Sequence, residues 1–285
     1  MKTNLQTKFW YSIIYLFLAA MVFISLFPVV FILLSSFKTN LEIMLGGVKI
    51  LPSGRWQFNN YSRAWRLANF SKYTWNSLYM CAFIVGGAII AATIQGYVFS
   101  RGTGKFTRFV YTMVMASLFI SVGSLSLFPQ LQVTQFLGID RSLWGVIIIY
   151  VFGLNVTQVF LSTSFFNQIP KEIDEAARID GCSFFRIFRS ILFPLTKPLI
   201  ATIGLISFRA SWSEYLMPYI FTLGDQSKWP LVVGVVSLRS MGGESAVAWD
   251  LMLAGISISI VPMLIVYLCL NRFFITGLTE GSIKG

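Results

Sequence analysis

The chain has 285 residues, of which 56% are hydrophobic and only 12% are charged, and its mean hydropathy is +0.73. A soluble domain needs more charge to cover its surface, so this composition excludes one and indicates an integral membrane protein. The chain has three cysteines and no histidine, which leaves hydrolytic and metal chemistry without a candidate cluster. We therefore expect no catalytic residue, no metal site and no cofactor on this chain.

Six stretches are free or nearly free of charge and reach the ~20 residues that cross a bilayer core. They are residues 9–37, 73–100, 109–139, 142–169, 198–223 and 251–271. The first stretch is too long for the apolar region of a secretory signal and is read as a span. The sequence thus predicts an all-α polytopic membrane protein with six transmembrane helices, forming a single domain over residues 1–285.

The predicted connections fall on two sides of the membrane. Two long outer loops, residues 38–72 and 224–250, lie on one side; an elbow, residues 170–194, and the tail 272–285 lie on the other, with both termini. The terminal side carries more Lys and Arg, including the short basic loop 101–108, so we place both termini in the cytoplasm. The basic first outer loop suits either an acidic partner protein or an anionic solute. Because the positive residues are scattered over both faces, we expect no nucleic-acid partner.

The elbow is a charged island in an apolar chain. Pro170 suits the first position of a helix, and Gly181 allows the left-handed exit that ends it. A second helix is expected from Ser183, a good N-cap residue, to Leu192, with Pro194 as its breaker. Three acids favour the start of the first helix through its dipole: Glu172, Asp174 and Glu175. The pattern predicts a helix-turn-helix that projects from a membrane face.

Within the elbow, the run EAARIDG over residues 175–181 resembles the EAA signature of permease subunits of ATP-binding-cassette importers, in the form typical of carbohydrate uptake. The C-terminal run 277–285 is similar to the end of the second permease subunit of maltose-type importers. The resemblance implies the type I importer permease fold in the bacterial cytoplasmic (inner) membrane, with the elbow as the coupling helix. The residues implied in ATPase coupling are Glu172, Asp174, Glu175, Ala176, Ala177, Asp180 and Gly181.

The same resemblance implies an assembly. Its other members would be a second homologous permease, two ATP-binding subunits that hold ATP and Mg, and an extracytoplasmic solute-binding protein, all around a path through the lipid bilayer. This chain itself lacks a phosphate loop. The nearest candidate is Gly104-Lys105, but a Walker A motif around it would need Gly at position 99 and Ser or Thr at position 106, and both positions are Phe. We therefore expect a non-enzymatic subunit that translocates a sugar or oligosaccharide, neutral or anionic, by alternating access.

The fifth predicted span holds two charged residues, Arg209 and Glu214, at membrane depth. An unpaired charge there costs roughly 2.5–3.5 kcal/mol, so neither should face lipid. One interpretation makes both residues structural, each paired with another helix. The other makes them part of the solute path. Trp212, Tyr215 and Tyr219 would share one face of a continuous helix, and an aromatic face beside a carboxylate suits a sugar. The candidate path residues are Asn155, Arg209, Trp212, Glu214, Tyr215 and Tyr219.

The last outer loop has a flexible tip formed by Met241, Gly242, Gly243 and Glu244. Its position is similar to that of a loop that reaches into the solute-binding protein of maltose-type importers. A plain solvated connector fits the sequence equally well. Two other protein classes compete with an importer subunit. An ion-coupled secondary transporter would use Arg209 and Glu214 for coupling, and a membrane-embedded enzyme would need a catalytic constellation that the sequence lacks.

Overall fold

A computed structural model describes residues 5–47, 49–120, 123–241 and 247–282, and in these residues it contains helices and no strand. The α-helices are α1 Leu5–Ser35, α2 Asn40–Leu45, α3 Asn59–Leu67, α4 Phe70–Arg101, α5 Lys105–Ala116, α6 Leu127–Phe136, α7 Leu143–Phe152, α8 Val156–Gln168, α9 Lys171–Ile179, α10 Phe184–Ile187, α11 Phe193–Leu195, α12 Lys197–Trp212, α13 Leu216–Phe221, α14 Leu231–Ser237 and α15 Trp249–Ser282. Short 3-10 turns cover Ser117–Phe119, Gly123–Ser126, Gln226–Lys228 and Leu238–Met241, and a π-helical turn covers Phe188–Leu192. The predicted all-α class is confirmed.

The chain divides into two compact units. The first consists of Met1–Ser71 and Gly234–Val261, and the second of Lys72–Val233 and Pro262–Gly285.

In the first unit, the predicted outer loop 38–72 is folded rather than open. It contains α2 and α3, and the Asn60 side chain donates to the carbonyls of Ser36 and Lys38, each at 2.9 Å. Arg63 on α3 forms an ion pair of 3.6 Å with Asp250 at the start of α15. These contacts hold α3 against the residues that follow α1 and against the start of α15.

Glu42 is the single acid of the basic segment 38–72, and its carboxylate accepts a hydrogen bond within that segment. The Ser53 N–H donates to the Glu42 carboxylate, and this bond holds the pKa of Glu42 below its usual value. Glu42 is therefore ionised at neutral pH, and its one negative charge stands against the six basic residues of the segment.

Three helices are long and apolar enough to cross a bilayer by themselves: Lys8–Ser35, Phe70–Arg101 and Trp249–Leu270. They match the first, second and sixth predicted spans. Two bent pairs also pass the test, α7 with α8 at 41° and the helical run Phe184–Leu195 with α12 at 79°, which brings the count to five. The prediction of one continuous helix in each span is therefore wrong for residues 109–139, 142–169 and 198–223, each of which is divided into two helices.

Prolines lie in the first turn of the helix that follows two of the three divisions, Pro129 in α6 and Pro218 in α13. In a continuous helix a proline ring clashes with the carbonyl four residues before it. Pro129 would meet Leu125, which lies in the 3-10 turn Gly123–Ser126 and not in an α-helix. Pro218 would meet Glu214, and the helix is broken between Trp212 and Leu216. The remaining break, between α7 and α8, lies at residues 153–155, where Asn155 becomes the N-cap of α8.

The predicted outer loop 224–250 also carries structure, because α14 and the turn after it form an apolar helical segment, Leu231–Ser240. It is therefore more than a simple connector. Gly242, Gly243 and Glu244 of the predicted tip lie outside the described residues, and Met241 ends a 3-10 turn.

Candidate functional site

The first elbow helix, α9, is built as its sequence predicts, with Pro170 one position earlier, as N-cap. The N–H of Gly181 donates to the carbonyl of Arg178 at 3.0 Å, and the N–H of Cys182 donates to Ala177 at 2.9 Å. This pair of bonds is the Schellman motif, which needs a left-handed residue after the cap. Gly181 has φ +78°, which confirms the predicted left-handed exit.

The second elbow helix is longer than predicted. Ser183 caps it by accepting from the Arg186 N–H at 3.4 Å, as expected. It continues through the π-helical turn and α11 as far as Leu195, whereas the sequence predicted an end at Leu192. The π-helical turn comes immediately before α11, which contains Pro194. Proline has no N–H for the helical hydrogen bond, and the wide turn accommodates this missing bond. The sharp change of direction therefore comes after Leu195, where the chain bends by 79°.

A buried arginine at the end of α4 joins the elbow to the helices beneath it. Arg101 Nε lies 3.0 Å from Asp174 Oδ2 on α9, and the two side chains are only 4% and 6% exposed. Arg101 also donates to the carbonyls of Phe166 (3.0 Å) and Ile169 (2.9 Å) at the end of α8. One guanidinium thus binds α8 and α9 together. We call Arg101, Asp174 and these two carbonyls the clamp.

An aromatic cluster supports the elbow one turn away from the clamp. Tyr97 on α4 stacks on Phe188 at 5.2 Å between ring centroids, and its hydroxyl donates to the Phe184 carbonyl at 3.2 Å. Phe166 and Ile187, both fully buried, belong to the same core cluster. The elbow is therefore packed on α4 and α8 rather than suspended from its ends.

The predicted coupling residues lie on opposite sides of α9. Asp174 and Ala177 are buried against the rest of the unit, so they hold the elbow and are not accessible to another subunit. The accessible members are Glu172, Glu175, Ala176, Asp180 and Gly181. Ile179, which the sequence argument did not single out, is 87% exposed beside them. The outward side of α9 and its C-cap thus carries three acids together with the exposed bases Lys171 and Arg178, and the side chain of Ile179 lies bare among them.

The candidate path residues of the fifth predicted span are separated by the helix break. Trp212 is buried at the end of α12 and stacks on Phe208 at 5.4 Å. Tyr215 lies beyond the break and stacks on Tyr219 at 5.5 Å. The expectation that the three rings share one face of a continuous helix is therefore wrong. Arg209 is exposed on α12.

Glu214 is bound by its own chain. The Tyr150 hydroxyl on α7 donates to Glu214 Oε2 at 2.8 Å, and the Met217 N–H donates to Oε1 at 3.2 Å. The carboxylate thus caps α13 and ties it to α7. Asn155, the other candidate from the fourth predicted span, caps α8 by accepting from the Gln158 N–H at 3.3 Å.

Residues 83–279 match the protein family described as binding-protein-dependent transport system inner membrane component. This range contains the elbow, the clamp and all the divided spans. The chain belongs to this family. It is an inner membrane component of a binding-protein-dependent transport system.

Curated relatives of this transport component carry sugar names. The diacetylchitobiose uptake system permease protein NgcG of Streptomyces coelicolor is 31% identical over 262 residues, which cover 90% of this chain and 83% of the relative. The melibiose/raffinose/stachyose import permease protein MelC of Bacillus subtilis is 32% identical over 229 residues, covering 80% and 81%. A crystal structure of a bacterial ABC transporter that imports the acidic polysaccharide alginate matches with a TM-score of 0.80 and 22% identity, over 96% of this chain and 99% of that one. This last match confirms the importer permease fold.

Three functional residues of this transport component were missed by sequence reasoning. Tyr97 and Arg101 were placed at the cytoplasmic end of the second span and Arg101 was counted for its charge, but neither was given a partner, and Tyr150 was not singled out. Arg101 and Asp174 are 73 residues apart and Tyr150 and Glu214 are 64 apart. A buried acid in an apolar helix does signal that a partner exists, but not which residue it is.

Proposed function

We propose that this chain is one of two permease subunits of an ATP-driven importer for a sugar or oligosaccharide. An extracytoplasmic binding protein delivers the solute, and separate subunits hydrolyse ATP. The observation that carries the proposal is the elbow, whose inner side is fixed by a buried ion pair and whose charged outer side is exposed. The sugar names of NgcG and MelC support the substrate class.

The proposed mechanism is alternating access. The exposed side of α9, with Glu172, Glu175 and Ala176, fits a groove on an ATP-binding subunit. ATP and Mg bind on those subunits, which close on each other and bring the elbows of the two permeases together. Because Arg101 ties α9 to α4 and α8, the movement reaches the transmembrane helices and opens the solute path outward.

The proposed placement follows from this coupling. The elbow and both termini face the cytoplasm, where ATP is, and the segments 38–72 and 224–250 face outward toward the binding protein. The basic character of the first segment suits an acidic surface on that protein. The whole chain acts as one transmembrane domain in this scheme.

An ion-coupled secondary transporter is the weaker alternative. It would need Arg209 and Glu214 to exchange partners or protons during transport. Both Glu214 oxygens already accept hydrogen bonds within the chain, and in the part that the structure describes no carboxylate lies within 4.0 Å of Arg209. Glu214 is therefore better explained as a structural group than as a coupling site.

The test is reconstitution in liposomes with the complete complex and with partial assemblies. We expect no ATP hydrolysis by the purified chain, and hydrolysis with sugar uptake only when the second permease, both ATP-binding subunits and the binding protein are present. The matched control is a complex whose ATP-binding subunits lack the phosphate-loop lysine. Hydrolysis by this chain alone would refute the proposal. So would uptake that survives loss of the ATP-binding subunits and stops when the proton gradient is collapsed.

A further inference from the structure

The three helix breaks of the second unit meet at one open cavity of about 530 Å³. Its wall comes from the turn after α5, from α6, from the break between α7 and α8, and from the first residues of α13. Its volume lies within the range of small-molecule sites, which is roughly 300–1,000 Å³. The described residues that line it all lie between residues 117 and 217, within the second unit.

A break in a transmembrane helix exposes backbone groups that lipid cannot satisfy. Such breaks are tolerated only where they are buried in protein or face a water-filled cavity. In transporters, half-helix ends at the middle of the membrane commonly form the solute site. The break between α7 and α8 lies within a candidate span, and α8 begins at the cavity wall with Val156 and Thr157. The backbone at the breaks after α5 and α7 therefore faces a cavity, which Met217 of α13 also lines.

The cavity presents hydrogen-bonding groups that the chain leaves available. Gln130 Oε1 on α6 is buried and has no hydrogen-bond partner among the described residues. Asn155 uses its Oδ1 to cap α8, which leaves its amide N–H groups for other acceptors. The Thr157 hydroxyl adds a group that both donates and accepts.

Tyr150 supplies an aromatic wall, and Glu214 fixes it. The Tyr150 hydroxyl is engaged by Glu214 Oε2 at 2.8 Å, so the orientation of the ring is set by the carboxylate. Glu214 itself does not line the cavity, and its second oxygen is bound by the Met217 N–H. Glu214 is thus a positioning residue rather than a solute contact.

We propose that this cavity is a solute-contact site of this subunit and that it takes a neutral sugar ring. Amides and hydroxyls beside an aromatic wall match the hydroxyls and the apolar faces of a sugar. None of the described residues that line the cavity is charged, so an anionic sugar would lack a partner for its carboxylate. The inference rests on the proposed function and narrows it, because it names the residues and the class of sugar.

The test uses the complete complex in liposomes with labelled raffinose, maltotriose, diacetylchitobiose and digalacturonate as probes. Uptake per ATP hydrolysed is measured for Gln130→Met and Thr157→Val, which keep volume and remove polar groups. Asn155→Asp keeps the capping oxygen and replaces the amide donors with negative charge. Gln132→Met is the matched control, because Gln132 lies on α6 and is exposed but does not line the cavity. The melting temperature of each assembled complex is measured alongside.

We expect at least one neutral probe to be transported, and we expect Gln130→Met and Thr157→Val each to lower its uptake per ATP about 5- to 10-fold, the effect of one lost hydrogen bond. Gln132→Met should match the wild type. If the wild type transports none of the sugars, the proposed function fails and the site assignment fails with it. If a neutral sugar is transported and Gln130→Met, Thr157→Val and Asn155→Asp all behave as Gln132→Met does, the cavity is not the site. Transport of digalacturonate and of none of the neutral sugars would overturn the assignment to a neutral sugar. A fall in the melting temperature of the variants that accounts for their lost uptake would show that Gln130, Asn155 and Thr157 are structural residues.

Discussion

Removal of Arg101 should release the elbow from the transmembrane helices. Its guanidinium bonds Asp174 Oδ2, the Phe166 carbonyl and the Ile169 carbonyl at 2.9–3.0 Å, with the side chain 4% exposed. Arg101→Met leaves the Asp174 charge buried without a cation, and Asp174 Oδ1 already has no partner within the described residues. Breaking a buried pair in this way costs about 3–5 kcal/mol.

The cost should appear first as local opening of α9. About 3 kcal/mol corresponds to roughly 100-fold faster amide exchange, if the elbow opens as a unit. We would measure hydrogen exchange of α9 in the assembled complex, together with its melting temperature and sugar uptake. Arg108→Met is the matched control, because it removes the same charge from an exposed position. Unchanged exchange and melting in Arg101→Met would refute the clamp.

Two further variants separate charge from geometry. Arg101→Lys keeps the charge but loses the planar fork that reaches α8 and α9 together, so it should open α9 less than Arg101→Met but more than the control. Arg101→Met combined with Asp174→Leu removes both buried charges, and apolar replacement of a whole pair is often neutral. The double variant should therefore recover melting temperature relative to Arg101→Met, while uptake stays low because α8 and α9 are no longer joined.

Three other predictions follow from single positions. Gly181→Val should impair uptake, because φ at this position is +78° and a β-branched residue there is strained by at least about 1–2 kcal/mol. An added Cβ would meet nothing within 4 Å, so the strain comes from the backbone and Gly181→Asn should be tolerated. Normal uptake by the Val variant would contradict the left-handed turn. Glu214→Gln and Tyr150→Phe should each lower the melting temperature of the complex, and a double-mutant cycle without coupling would show that their bond is not formed. Gly96→Ala should separate α4 from α8, since its Cβ would lie 2.3 Å from Ser162 Cβ, at a cost of about 1–3 kcal/mol; an unchanged melting temperature would exclude that close approach.

The elbow and the unbroken spans were predictable because their signals are local. Pro170, the acids after it and Gly181 act on their immediate neighbours, and their effects appear where the sequence puts them. The signal for the breaks is weaker: Pro129 and Pro218 each conflict with a carbonyl four residues earlier, which favours a break before them. Pro28 and Pro262, however, lie inside continuous helices, so proline alone does not locate a break.

The site could be predicted only in part, because its decisive contacts are long-range. Glu214 was recognised as a buried acid that needs a partner, but nothing in one sequence selects Tyr150 on α7 over other residues. The assumption of one continuous fifth helix then placed Trp212, Tyr215 and Tyr219 on a shared face, which the break removes. The cavity depends on three breaks at once and therefore could not be derived from any single span.

Helix α8 connects the two functional regions physically. It has 13 residues and is about 20 Å long. Its N-terminus is capped by Asn155 at the cavity, its C-terminal carbonyls are bound by Arg101 at the elbow, and Gln158 holds it to Ser207 on α12 at 2.8 Å. A helix of this length moves as a rigid body, so displacement of its elbow end displaces the residues at its other end, which line the cavity. Clamp variants should therefore weaken the dependence of uptake on ATP without changing which sugar passes, whereas cavity variants should change the sugar preference while the elbow remains protected from exchange.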